Sequence, residues 1–245
     1  MQRTFAKLII FFALAASFAL PAGAQTAQEL FELGMRSYKN ADYASAAKYF
    51  EDAARGGYGA AAYHNAGNAY AKMQKPGLAI LNYERARYIN PRSPETIANI
   101  SAVSKAAGVP ESPRGFADSF FGELSNAEWI IAASCGFWAM LAFAVMPIFL
   151  RRKKAAFKAA AILGAAIMCL GISGSIYWSR MRNTAISVSP DALLKLSPAQ
   201  NAPAIATFAE GKRAIIKDRK GAYLLLSAPD KKTGWVDIES AKPVR

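Results

Sequence analysis

Two long apolar runs constrain this chain more than any other feature. They cover residues 129–150 and 159–178, which are 22 and 20 residues long. As helices they measure about 33 Å and about 30 Å, enough to cross a hydrocarbon layer of about 30 Å. Neither run contains an acidic residue, a histidine or a lysine. We therefore predict two transmembrane helices that form a passive hairpin, without an ion or proton pathway.

The short segment between the two runs predicts their orientation. Residues 151–158 contain the sequence Arg151-Arg152-Lys153-Lys154 and, further on, Lys158, with no acidic residue. Positively charged loops stay on the cytoplasmic side of a bacterial membrane. We therefore predict a multi-pass protein of the bacterial inner membrane, with a cytoplasmic basic loop at 151–158 and both flanking regions in the periplasm.

The N-terminal region is typical of a secretory signal. Arg3 and Lys7 precede an apolar run over residues 8–20, and an A-x-A motif ends at Ala24. We predict that residues 1–24 are a cleaved signal peptide, because the apolar run is short for a membrane span. An uncleaved anchor is the alternative, and it gives the same orientation.

Residues 25–108 contain an internal repeat with an offset of 33 residues. Four pairs of small or aromatic positions share this offset: Gly34 and Gly67, Ala46 and Ala79, Phe50 and Tyr83, and Ala53 and Ala86. Small residues allow two helices of one unit to touch, and the aromatic residues fill the gap between units. Pro91 ends the second unit, and residues 94–107 continue the pattern as a closing helix.

This pattern resembles the tetratricopeptide repeat, with about two and a half units. The resemblance implies an all-α repeat domain that binds a peptide in the groove lined by the first helix of each unit. The groove candidates are Tyr38, His64, Asn68, Lys72 and Lys105. Asn68 matches an asparagine that often bonds a ligand backbone, and the lysines favour an acidic peptide. Phe31 replaces one lysine of the usual carboxylate clamp. Solvated surface is the alternative interpretation.

Residues 109–128 are predicted to be a linker, because the segment is rich in proline, glycine and charge. Phe116, Phe120 and Phe121 in this linker are suited to the membrane interface. A short amphipathic helix without lipid contact is the alternative.

Residues 185–245 change to short apolar runs separated by turn signals, which predict a small all-β barrel. The expected strands are residues 185–188, 192–196, 213–217, 222–227 and 234–238. The order of these runs, with Gly211 and Gly234-Trp235, resembles bacterial SH3-like domains. Tyr223 stands where that family often has tryptophan. The candidate ligand-binding residues are Tyr223 and Trp235, and a place at the edge of the core is the alternative for Trp235.

The complete order of segments resembles BatE-type proteins of the Bacteroides aerotolerance (Bat) operon. That resemblance implies a scaffold that works with membrane-anchored von Willebrand A-domain proteins in envelope maintenance or oxidative-stress tolerance. Binding or sensing of peptidoglycan through the SH3-like domain is the alternative function.

Enzymatic activity and cofactors are not expected. Catalytic motifs such as G-x-S-x-G, H-E-x-x-H or a phosphate loop are absent from the sequence. Its two cysteines, Cys135 and Cys169, lie in the apolar runs, and His64 is its one histidine, so a cysteine or histidine metal site is not expected. The net charge of +13 is not accompanied by an RNA-binding motif, and no nucleic-acid partner is predicted.

The predicted orientation can be tested with alkaline phosphatase fusions. Fusions after Gly108 and after Arg245 are expected to be active, because both positions face the periplasm. A fusion after Lys158 is expected to be inactive, because it lies in the cytoplasmic loop. An inactive fusion at Arg245, with the full-length protein present in the membrane fraction, would contradict this topology.

Overall fold

The computed structural model describes residues 26–109, 116–150, 154–230 and 232–245. The predicted signal peptide, the loop residues 151–153 and Lys231 lie outside the described residues. The helices are α1 Ala27–Lys39, α2 Tyr43–Ala53, α3 Gly59–Lys72, α4 Pro76–Ile89, α5 Pro94–Ala106, α6 Phe116–Phe121, α7 Asn126–Leu150 and α8 Lys154–Arg182. A short kinked segment, Ala54–Tyr58, in which Gly57 has a φ of 109°, joins α2 to α3. The part of the chain after α8 forms an antiparallel sheet.

Side-chain caps explain where several of the first five helices begin. Thr26 accepts a hydrogen bond from the backbone of Glu29, whose own side chain accepts one from the backbone of Thr26. Asp42 caps α2, and Ser93 caps α5 just before a proline at its first position. Such caps satisfy backbone N–H groups that have no partner inside the helix.

The repeated glycines allow an aromatic ring to lie directly on a helix backbone. A Cβ atom added to Gly34 would come within 2.7 Å of the Phe50 ring, and one added to Gly67 within 2.6 Å of the Tyr83 ring. Each aromatic residue thus packs inside its own helix pair. Phe50 also belongs to a buried cluster with Ala66 of α3, and so it fills the gap between pairs as the repeat predicts.

Helices α7 and α8 are both long and apolar enough to cross a membrane. Both helices are longer than the predicted spans 129–150 and 159–178. Helix α7 begins three residues earlier, at Asn126, and α8 covers residues 154–182. The two helices approach closely at glycines. A Cβ atom on Gly136 would lie 2.5 Å from the backbone N of Met168, and one on Gly164 would lie 2.6 Å from that of Met140.

The sheet has the strand order β3-β2-β6-β5-β4-β1-β7. Its strands are β1 Thr184–Ser187, β2 Leu193–Lys195, β3 Ala204–Thr207, β4 Arg213–Lys220, β5 Tyr223–Ser227, β6 Thr233–Asp237 and β7 Ala241–Pro243. The five expected strands are present with shifted ends. Two further strands were not predicted: β3, which is short and largely exposed, and β7, which ends on a proline. Within the described residues the ladder leaves β3 and β7 as two edges, so the sheet is not closed.

The sheet packs directly against α4. Ile80 and Leu81 of α4 are buried in one cluster with Ile186 and Val244. The carboxylate of Glu84, which is only 3% exposed, forms ion pairs with Arg87 and with Arg213 of β4. The helical region and the sheet are therefore in contact through α4, in addition to their link through the hairpin.

The Gly67–Tyr83 contact predicts the effect of a larger side chain. Gly67→Val is expected to destabilise the helical region by about 1–3 kcal/mol, because the new atoms overlap the Tyr83 ring. The control is Ala61→Val, an exposed position on the same helix. The measurement is thermal unfolding of the full chain in detergent, followed by circular dichroism. Equal midpoints for the two variants would contradict the contact.

Candidate partner-binding groove

Helix α4 is more deeply buried than α1, α2, α3 and α5. In α4, the buried residues include Ala79, Leu81, Tyr83 and Glu84, whereas Gly34 is the buried residue of α1. In α5 the buried residues are Thr96 and Ser104, and α3 buries the small residues Ala62, Ala66, Gly67 and Ala69 on its inner face. The helices α1, α3 and α5 thus keep a solvent-exposed surface, which we call the groove, while α4 lies in the interior.

Asn68 lies at the centre of a hydrogen-bond network that joins three helices. Its Oδ1 atom accepts hydrogen bonds from Tyr83 Oη at 2.7 Å and from Asn99 Nδ2 at 3.1 Å. Its Nδ2 atom donates to Asn65 Oδ1 at 3.5 Å. Burial raises the pKa of Tyr83 to about 12, so the phenol keeps its proton. Asn68 therefore holds the helices together, and its side-chain oxygen is already occupied.

His64 is a second internal link in the groove. Its Nδ1 atom lies 2.9 Å from Thr96 Oγ1, which connects α3 to α5. The His64 ring also packs against Tyr83, with ring centroids 5.6 Å apart. Burial lowers the pKa of His64, and Glu95 opposes this shift. The imidazole is thus a neutral structural contact at pH 7.

The accessible groups of the groove include two lysines and a methionine, and the carboxylates of Glu32 and Glu95 are exposed on the same helices. Lys72 and Lys105 are exposed, and Met35 is 37% exposed. Tyr38 is half-buried and packs edge-on against Tyr43 at 5.2 Å. An exposed cation beside apolar atoms can bind an acidic, partly apolar segment.

Two polar residues of the groove were missed by the sequence analysis. Asn65 precedes Asn68 by one helical turn, and its Nδ2 atom donates to Met35 Sδ at 3.7 Å. Asn99 follows Asn68 by 31 residues, which is nearly the repeat offset. These two spacings could have indicated that Asn65 and Asn99 lie beside Asn68. Residues three apart share a helix face, and repeat-related positions lie on neighbouring helices of the same kind.

The two candidate residues of the sheet lie on one of its faces. Trp235 is paired with Leu225 in the ladder and Tyr223 with Asp237, so both aromatic side chains project from the same side. The Trp235 side chain is only 9% exposed, and Lys220 Nζ lies 5.5 Å from the centre of its ring. Trp235 is therefore covered by its neighbours, and Tyr223 is half-buried.

Two comparisons with known proteins found no match for this chain. No protein-family model matches the sequence, and a search of the curated proteins also finds no match. In the described part of the chain, no group of three or more histidine, cysteine, aspartate or glutamate side chains is arranged to hold a metal ion. The fold and the groove define a class: paired helices and an antiparallel sheet joined by an apolar helical hairpin.

The network predicts that Asn68 matters for stability. Asn68→Ala is expected to cost about 1–3 kcal/mol of folding free energy, because the buried Tyr83 hydroxyl loses its acceptor. Asn68→Asp keeps an acceptor oxygen and should lose less. Lys72→Ala, the exposed control, should change stability by less than about 0.5 kcal/mol. Thermal unfolding of the three variants tests this, and an unchanged midpoint for Asn68→Ala would contradict the structural role.

Proposed function

We propose that this chain is a membrane-anchored periplasmic scaffold that binds a partner protein through the groove of α1, α3 and α5. The observation that supports the proposal is the difference in solvent exposure between α4 and the helices of the groove. Helix α4 is buried against the sheet, whereas the groove is left exposed with Lys72, Lys105 and Met35 accessible. The interpretation of the paired helices as tetratricopeptide repeats and of the sheet as an SH3-like domain is part of this proposal and rests on the sequence patterns.

Contacts at the outer end of the hairpin support a fixed position of the groove above the membrane. The helical region is joined to α7 by an ion pair between Arg92 and Glu128. Tyr88 of α4 packs edge-on against Trp178 of α8, with ring centroids 5.4 Å apart. A scaffold needs such fixed geometry, because a preorganised binding surface loses less entropy when a partner binds.

Two lysines of the groove support an acidic segment as the bound element. Lys72 and Lys105 lie on α3 and α5 and have no ion pair within the described part of the chain. We propose membrane-anchored von Willebrand A-domain proteins of a Bat-type complex as the partners, on the basis of the segment order. Envelope maintenance or oxidative-stress tolerance is the corresponding process.

Peptidoglycan binding through the sheet is less well supported by the geometry. A wall-binding site needs an accessible aromatic surface, and Trp235 is 9% exposed with Lys220 over its ring. The groove therefore remains the preferred binding surface.

Photo-crosslinking in cells tests the proposed groove. A photoreactive residue at Lys72 or at Lys105 is expected to capture the same membrane protein, because both positions line one surface. The same residue at Lys48, an exposed position on α2, is the matched control and should not capture it. Lys72→Glu together with Lys105→Glu should abolish capture from a third groove position, Met35.

Two results would contradict the proposal. One is equal capture from Lys48 and from the groove positions. The other is recovery of peptidoglycan alone, and only through probes in residues 185–245. The second result would identify the sheet as the functional surface.

A further inference from the structure

The tryptophans at the outer end of the hairpin are buried in protein. Trp129 is 4% exposed and Trp178 is 2% exposed. Trp129 Nε1 donates to the Phe121 carbonyl at 3.0 Å, and Trp178 Nε1 donates to the Leu124 carbonyl at 2.8 Å. Tryptophans at a membrane boundary commonly face the lipid headgroups. Here the indoles instead bind the last residue of α6 and the segment that connects α6 to α7.

These contacts hold α6 against the outer end of the hairpin. The Phe121 ring lies 5.6 Å from the Trp129 ring and 5.9 Å from the Tyr177 ring, measured between centroids. Tyr177 Oη donates a hydrogen bond to Asp118 Oδ1 at 2.8 Å. The helix is thus attached by side chains from both α7 and α8, at the level where the chain leaves the predicted membrane region.

The remaining face of α6 is apolar and exposed. Phe116 is 82% exposed and Phe120 is 42% exposed, and their rings stack one helical turn apart with centroids 5.7 Å apart. Asp118 lies on the opposite side of the helix, because two residues correspond to about 200° of rotation. Helix α6 therefore has one apolar face and one face that is bonded to the hairpin.

The exposed phenylalanines continue the apolar surface of the hairpin. Phe120 lies 6.2 Å from Trp129, and the next residues of α7, Ile130 and Ile131, are 49% and 61% exposed. Two large rings exposed to water would be unfavourable, whereas the same rings at a lipid boundary are typical of an interfacial helix. The continuity of this surface favours lipid as the occupant.

We propose that α6 is an interfacial helix whose Phe116 and Phe120 insert into the boundary between lipid headgroups and acyl chains. This proposal rests on the membrane anchoring in the proposed function. It assigns to α6 the interfacial role that the buried Trp129 and Trp178 do not perform. The helical region is then held at a fixed height by the hairpin and by a second, sideways contact with lipid.

Spin-label accessibility in lipid nanodiscs tests this proposal with the full chain. The background is Cys135→Ala with Cys169→Ala, and single labels are placed at Ala117, Ile162 and Ala199. Ala117 is next to the phenylalanines, Ile162 reports on the hairpin, and Ala199 lies in an exposed turn of the sheet region. Power saturation measures the accessibility of each label to oxygen and to a water-soluble nickel chelate.

The label at Ala117 is expected to be several-fold less accessible to nickel than the label at Ala199. Phe116→Ser with Phe120→Ser should raise nickel access at Ala117 to the level of Ala199. The matched control, Leu196→Ser with Ile205→Ser, removes two exposed apolar side chains from the sheet region and should leave Ala117 unchanged. The label at Ile162 shows in each variant whether the hairpin is still inserted.

The outcomes separate the two proposals. If Ile162 is protected from nickel while Ala117 is as accessible as Ala199, the hairpin spans the membrane and the interfacial role of α6 is wrong. If the serine pair leaves Ala117 protected, protein rather than lipid covers this face, and the proposal is also wrong. If Ile162 itself is accessible to nickel, the membrane anchoring fails and the inference falls with it.

Discussion

The ion pairs of Glu84 determine how the helical region and the sheet are placed relative to each other. A carboxylate with 3% exposure loses most of its hydration, and that loss is offset only if opposite charges lie close to it. Arg87 comes from the same helix, whereas Arg213 comes from β4, so the pairing is complete only when the sheet is docked. The Arg213 side chain is 37% exposed, which limits the strength of the pair but not its geometric selectivity.

Other contacts extend this junction along α4. Near the start of the helix, the backbone N–H of Gly77 donates to Glu210 Oε1 at 3.0 Å. Further along, Arg85 donates to the carbonyls of Pro243 and Val244, which holds the C-terminal strand on the helix. Burial lowers the pKa of Arg85, but the guanidinium remains charged at neutral pH because an arginine side chain ordinarily loses its proton only in strongly basic solution. The helix thus contacts the sheet over most of its length.

Local patterns predicted the parts of the structure that depend on nearby residues. The offset between Gly34 and Gly67 predicted close helix pairs, because a missing side chain leaves space for a ring whatever the wider fold. The two apolar runs likewise predicted two long helices, because the hydrophobicity and the length of a run can be read directly from its own residues. The role of Asn68 could not be predicted, because an asparagine that binds Tyr83 and Asn99 has the same sequence signal as one that faces a ligand. The Glu84–Arg213 contact joins ordinary charged residues 129 positions apart, and a single sequence gives no signal for it.

The tryptophans of the hairpin show the same limit of local patterns. Trp129 and Trp178 lie at the ends of apolar runs, where tryptophans commonly face lipid headgroups, but that position does not distinguish a ring facing lipid from one facing protein. A buried indole N–H needs an acceptor, and the carbonyls of Phe121 and Leu124 supply it. Once those carbonyls are bound, the chain before α7 is held at the hairpin and α6 has to lie beside it. Phe116 and Phe120 of α6 then face outward because Asp118 is bonded to Tyr177 on the other side of the helix. The two buried tryptophans therefore link different parts of the fold to the hairpin: Trp178 contacts Tyr88 of the helical region, and Trp129 contacts Phe120 and Phe121 of α6.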